Sequence, residues 1–122
     1  MFSEAVLDHF RNPRNAGELS KPDASVEVTN PVCGDVVQLA VRLEKGRVAE
    51  ARFRCRGCTT AIACASLLTE LLQGKTPTEL RTITPDSLSR ALGNLPQATY
   101  HGAELAADAA HALSKKLGRT SR

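Results

Sequence analysis

The sequence predicts an α+β domain: a three-stranded antiparallel sheet with helices packed mainly on one face. Three observations carry this. Segments with strict apolar–polar alternation are confined to the first half, and helical spacings dominate the second. Between two of the alternating segments stands Lys45-Gly46, a hairpin signal.

The elements follow in order. Ser3 to Phe10 carries Ala5, Val6 and Phe10 at helical spacing and is stopped by NPRN. A loop, NAGELSKPD, leads to SVEVTNP, where Val26 and Val28 alternate as in a strand. Val36 to Glu44 sets Val37, Leu39, Val41 and Leu43 on one face. After the turn, VAEARFRC alternates through Ala49, Ala51 and Phe53. Thr59 to Gln73 is an apolar helical run with Gly74 as its stop. Short helical pieces are expected near Thr78–Leu80 and Pro85–Leu92. An Ala-rich helix is expected from Thr99 to Leu117, with Lys115, Lys116 and Gly118 where a helix end favours them. Residues 1–118 read as one domain and residues 119–122 as a frayed tail.

Composition narrows the function classes. A chain of 122 residues with 42% hydrophobic and 24% charged residues can bury a core without staples. Its net charge of +3, scattered arginines and 3% aromatic content argue against nucleic acid as a partner. No apolar run reaches the roughly 20 residues that span a bilayer, so no membrane role is expected. MFSEAVLDHFRNP carries acids early and reads as an amphipathic helix, which places the protein in the cytoplasm. No catalytic triad, phosphate loop or carboxylate pair is present, and no enzymatic activity is expected.

The cysteines carry the chemistry. Cys55, Cys58 and Cys64 fall within RCRGCTTAIACAS, and Cys33 stands alone in NPVCGD. In a reducing compartment such thiols are metal ligands or working nucleophiles more often than disulfides. Cys58 precedes a long helix beside Arg54 and Arg56, where the helix dipole and guanidinium charge favour a thiolate. Cys33 and Asp35 are two residues apart, so an extended segment would point both to one side, where they could share a cation. His101, at the start of the last helix, could complete a ligand set. His9 and His111 read as surface residues. Cys64 forms a buried stripe with Leu67 and Leu71 and reads as core. Cys55 makes C-x-x-C with Cys58, a spacing that suits zinc, clusters and redox pairs alike, yet the alternation Ala51, Phe53, Cys55 would turn it inward.

Taken in series, SEAVLDHFRNPRNAG, NPVCGD, ARFRCRGCTTAIACASLLTELLQGK and LPQATYHGAELAADAAHAL closely resemble the IscU/NifU N-terminal family of iron–sulfur cluster scaffolds. The resemblance covers nearly the whole chain. It implies an IscU-like fold with a metal or cluster site at one end, formed by Cys33, Asp35, Cys58 and His101. It also implies iron or a labile [2Fe–2S] cluster as cargo, a cysteine desulfurase as sulfur source and apo iron–sulfur proteins as recipients, with a homo-oligomer as a further option. Zinc is the alternative occupant of such a mixed N/O/S site.

Two positions depart from the family pattern. Members usually carry a cysteine directly after the histidine, where this chain has Gly102. LPQAT, Leu95 to Thr99, stands where members served by a dedicated chaperone carry LPPVK, so that chaperone is not expected as a partner. Cys55, three residues from Cys58, is the candidate additional ligand in place of the missing thiol. The competing function is a zinc-dependent acceptor of persulfide sulfur from the desulfurase, without cluster assembly. A thiol–disulfide reductase would want a thioredoxin-like βαβ context, which is lacking, and a purely structural zinc domain is the remaining reading.

Overall fold

The computed structural model describes residues 2–120, with the side chains of 119 and 120 left aside. In chain order the elements are α1 (Glu4–Arg11), β1 (Ala24–Thr29), β2 (Val36–Glu44), β3 (Arg47–Arg56), α2 (Thr59–Leu72), α3 (Pro77–Leu80), α4 (Pro85–Ala91), a 3₁₀ turn (Gln97–Thr99) and α5 (His101–Thr120). The strands form one antiparallel sheet in the order β1-β2-β3. α2 packs on β3, and α5 packs on β1 and β2, so both long helices cover the same sheet face. α1, α3 and α4 lie against these two helices. The expected α+β architecture is the one observed.

The apolar patterning explains the layers. Val37, Leu39 and Val41 of β2 and Ala51 and Phe53 of β3 are buried beneath the helices, as alternation predicts. Lys45 and Gly46 both have positive φ (53° and 78°), as the tight hairpin turn matching strand twist requires. One inward residue differs from expectation. Register slips between Arg42 and Leu43: Arg42 faces Glu50 but Leu43 faces Val48, leaving Ala49 as the extra residue of a β-bulge. The bulge reverses parity, so Val48 is buried and Ala49 only half-buried.

α2 is buried on most of its circumference. Small residues (Ala61, Ala63, Cys64, Ala65, Ser66) let α1, the sheet and α5 approach it closely. Cys64 is fully buried and Leu67 is buried, as their stripe implied, whereas Leu71, its third member, is only half-buried. α5 does the same with Ala103, Ala106, Ala107, Ala109 and Ala110. It begins two residues later than expected, after the 3₁₀ turn, and runs through Gly118 to Thr120. Residues 121–122 of the expected tail lie outside the described residues.

His9 and the NPRN segment overturn the surface reading of the first histidine. His9 is buried, with Nδ1 2.8 Å from Ser66 Oγ. That oxygen also accepts the Arg14 N–H at 2.8 Å. Thr69 Oγ1 donates to the Arg14 carbonyl at 3.2 Å, Asn15 O accepts from Phe53 N–H and Gly17 N–H returns to Phe53 O. The motif thereby covers the free edge of β3, which would otherwise invite pairing with another chain. His111 is exposed, but its ring is fixed by an Nε2–H bond to the Ile83 carbonyl at 2.6 Å.

Candidate metal centre

Four element ends meet at one pole of the molecule. The β1–β2 loop brings Cys33 and Asp35, the end of β3 brings Gly57, the start of α2 brings Cys58, and the start of α5 brings His101.

The Cys33 loop is held by its own backbone and one side chain. Asn30 N–H donates to the Asp35 carbonyl and Gly34 N–H to the Asn30 carbonyl, both at 2.8 Å. Asn30 Oδ1 accepts the amides of Val32 (2.8 Å) and Cys33 (3.3 Å), an Asx turn. Gly34 turns the chain with φ 78°. Cys33 and Asp35 therefore converge through a tight turn, not through strand alternation. Cys33 is exposed beside Val32, which is 94% exposed.

Asp35 is seated against Gly57. A Cβ at Gly57 would stand 2.7 Å from Asp35 Cγ and 2.8 Å from Oδ2, so only glycine leaves room for this carboxylate. From that seat Oδ2 accepts the Cys58 N–H at 3.4 Å and faces His101 Nε2 at 3.9 Å. One donor atom each from Cys33, Asp35 and His101 lies within 4.8 Å of the others. A single cation bound at about 2.0–2.3 Å from each needs only a small contraction of this trio.

Cys58 is adjacent to the trio. It is the N-cap of α2, its sulfur accepting the Ala61 N–H at 3.4 Å and lying 3.8 Å from His101 Nε2. Of the two arginines expected to favour its thiolate, Arg54 is committed to Glu18 at 2.6 Å, so that charge is already paired. His101 opens α5. The preceding residue, Tyr100, donates its hydroxyl to Asp86 on α4, and this bond raises the Tyr100 pKa to about 12.

Cys55 is placed differently. It pairs across from the buried Val37 on β3 and packs against the core. Burial, with the negative charge of Asp35 and Cys58 adding to it, pushes its thiol up to about 12. Burial likewise pushes Cys64 up to about 12. All four cysteines are free thiols.

Gly102 sits where α5 crosses the start of α2. A Cβ there would meet Ala61 N at 3.1 Å and Thr60 C at 3.2 Å, both backbone atoms. The helices approach more closely than a side chain at this position comfortably permits. Three contributors were not picked out from the sequence: Gly57, Asn30 and the Tyr100–Asp86 bond. Asn30 carried a usable signal, since Asn three residues before a Cys-Gly pair is an Asx-turn pattern.

Comparisons with known proteins identify the family. Residues 1–121 match the model of the NifU-like N terminal domain. The chain belongs to that family. It is 43% identical over 109 residues to the iron–sulfur cluster assembly scaffold protein IscU 1 of Archaeoglobus fulgidus, covering 89% of this chain and 71% of that one. It is 41% identical over 112 residues to the IscU scaffold of Haemophilus influenzae, covering 88% of each. Among solved structures, a SufU-type scaffold from Fervidobacterium islandicum superposes with a TM-score of 0.69 at 18% identity, covering 91% of this chain and 94% of that one. That likeness bears on the fold alone.

Proposed function

We propose that this NifU-like chain is a non-enzymatic scaffold for iron–sulfur cluster assembly, with Cys33, Asp35, Cys58 and His101 as its ligands. The observation that carries the reading is the convergence of Cys33, Asp35 and His101 donor atoms within 4.8 Å of one another, beside the Cys58 sulfur. Iron and sulfide, or a labile [2Fe–2S] unit built from them, are the cargo. The sulfur comes from a cysteine desulfurase and the finished cluster goes to apo iron–sulfur proteins. A mixed set of two thiolates, a carboxylate and an imidazole at an exposed pole holds iron less tightly than four buried thiolates, which suits release. No helix among the described residues is long and apolar enough to cross a membrane, and a cytoplasmic site of action fits the reducing conditions that free thiols need. A shared site between two copies is compatible with so exposed a pole.

Anaerobic reconstitution with iron, cysteine and a desulfurase tests this. The wild type should develop visible charge-transfer absorption, and Cys33→Ser and Cys58→Ser should each lose most of it. Full absorption in both variants would overturn the ligand assignment.

A second reading draws on Gly102, which offers no thiol where relatives usually have one. Here zinc is resident and a site thiolate attacks the outer sulfur of the desulfurase persulfide, expelling the desulfurase thiolate and leaving a persulfide on this chain. Zinc-loaded protein that stays colourless under reconstitution yet accelerates desulfurase turnover favours this second reading.

A further inference from the structure

The pole opposite the thiols carries a feature that cluster chemistry does not use. A groove of about 860 Å³ lies between the β2–β3 hairpin, α3 and the last turns of α5. Its walls present Arg81, His111 and Lys115, and its apolar lining is Leu43 and Pro77, with no acidic residue among the lining groups. Arg81 and Lys115 are exposed and form no ion pair among the described residues. Lys45 at the hairpin tip and Lys75 before α3 add cations on adjoining turns. Of the acids in the same region, Glu44 pairs with Arg42 at 2.9 Å and Glu79 faces Arg47 at 3.7 Å, while Asp23 accepts the Leu43 N–H at 2.6 Å. Arg81, Lys115, Lys45 and Lys75 therefore outnumber the one acid beside the groove that has no ion pair among the described residues, Asp23, although the whole chain carries only +3.

We infer that this groove docks an acidic, Asp/Glu-rich segment of a partner protein. Charge complementarity selects the sign, and the apolar lining between the cations suits a peptide whose acidic side chains alternate with small apolar ones. Nucleic acid fits less well, because the groove lining contains no Phe, Tyr or Trp for base stacking and its one ring, His111, is tied to the Ile83 carbonyl. A lipid surface fits less well, because the exposed large hydrophobics are Phe2, Phe10 and Val32, none of which lines the groove. Fourteen residues of α5 separate His101 from Lys115, about 20 Å of helix. A partner held here leaves the thiol pole open, so docking and cargo handling can proceed together.

The test uses the full chain and a fluorescein-labelled Glu-rich peptide followed by anisotropy. Arg81→Glu/Lys115→Glu should weaken binding at least about tenfold, with a steep loss of affinity at high salt in the wild type. Arg81→Ala/Lys115→Ala should fall in between. The control Arg11→Glu/Lys21→Glu changes net charge equally on exposed residues outside the groove and should bind nearly as the wild type does. Equal weakening in both Glu pairs would reduce the effect to net charge and overturn the inference, as would no measurable binding by the wild type. Tighter capture of a single-stranded oligonucleotide or an anionic vesicle than of the peptide would overturn it as well. Zinc affinity, measured on the same variants, should stay unchanged, which separates this surface from the thiol site.

Discussion

Replacing Gly57 with alanine should cripple the proposed metal centre without replacing any of its proposed ligands. The new methyl carbon would stand 2.7 Å from Asp35 Cγ and 2.8 Å from Oδ2, against the roughly 3.5–4.0 Å at which carbon atoms rest in contact. The carboxyl carbon must retreat by about 0.8–1.3 Å to restore an ordinary contact. Metal–ligand distances tolerate about 0.2 Å, so Asp35 leaves the group it forms with Cys33 and His101. Its 3.4 Å bond from the Cys58 amide goes with it, at a cost of about 1 kcal/mol. Gly57 is not among the residues with positive φ, so backbone strain in the alanine variant does not enter. Displacing a supporting group of a metal ligand typically costs about 10–100-fold in affinity, and that range is expected for Zn²⁺ competed against a chromophoric chelator. The loss should be absent when Gly57→Ala is built on Asp35→Ala, because the two changes act through one carboxylate. Wild-type affinity in Gly57→Ala, or an undiminished loss in the Asp35→Ala background, would refute the seat.

The remaining predictions rest on separate observations. At mildly alkaline pH an alkylating reagent should modify the exposed Cys33 and Cys58 quickly and spare Cys55 and Cys64, whose burial raises both thiols to about 12; metal loading should then protect the fast pair, and Cys55→Ala should keep full metal stoichiometry. His9 is held below its ordinary 6.5 by burial first and by Arg14 second, against the opposing pull of Glu70 and Asp8. Its contribution to stability is complete above about pH 6.5 and is lost as pH falls through the depressed folded value; urea midpoints should drop across that window in the wild type and less in His9→Gln. Gly102→Cys adds a thiol beside His101 but presses on the α2 backbone, so it should lose about 1–3 kcal/mol in urea unfolding.

The sheet was legible because its residues alternate without ambiguity: Val37, Leu39 and Val41 could face only one way. The single parity error, Ala49 for Val48, arises from a bulge, which inserts a residue without altering composition. His9 misled because helical position alone does not reveal a distant hydroxyl, and Ser66 lies 57 residues away. At the site, the residue types that bear chemistry could be named from their motifs. The groups that aim them could not. Gly57 matters only through the carboxylate that fills its missing side chain, and Tyr100 only through a bond to α4. Such contacts join segments far apart in the chain, and no local pattern encodes them.

What Gly102 does to the site follows from the same logic of close approach. Removing a side chain there draws the start of α5 onto the start of α2, and the first residue of α5 is His101. The imidazole consequently rests 3.8 Å from the Cys58 sulfur and 3.9 Å from Asp35, in reach of both. A bulkier residue would supply a donor but widen the crossing that sets those distances. Spectra of Gly102→Cys therefore bear on the choice between the two proposed functions: cluster absorption equal to that of the wild type would mean the wild-type donors suffice for a cluster, as the scaffold reading requires, whereas absorption that appears only with the added thiol would favour the zinc-bound sulfur acceptor.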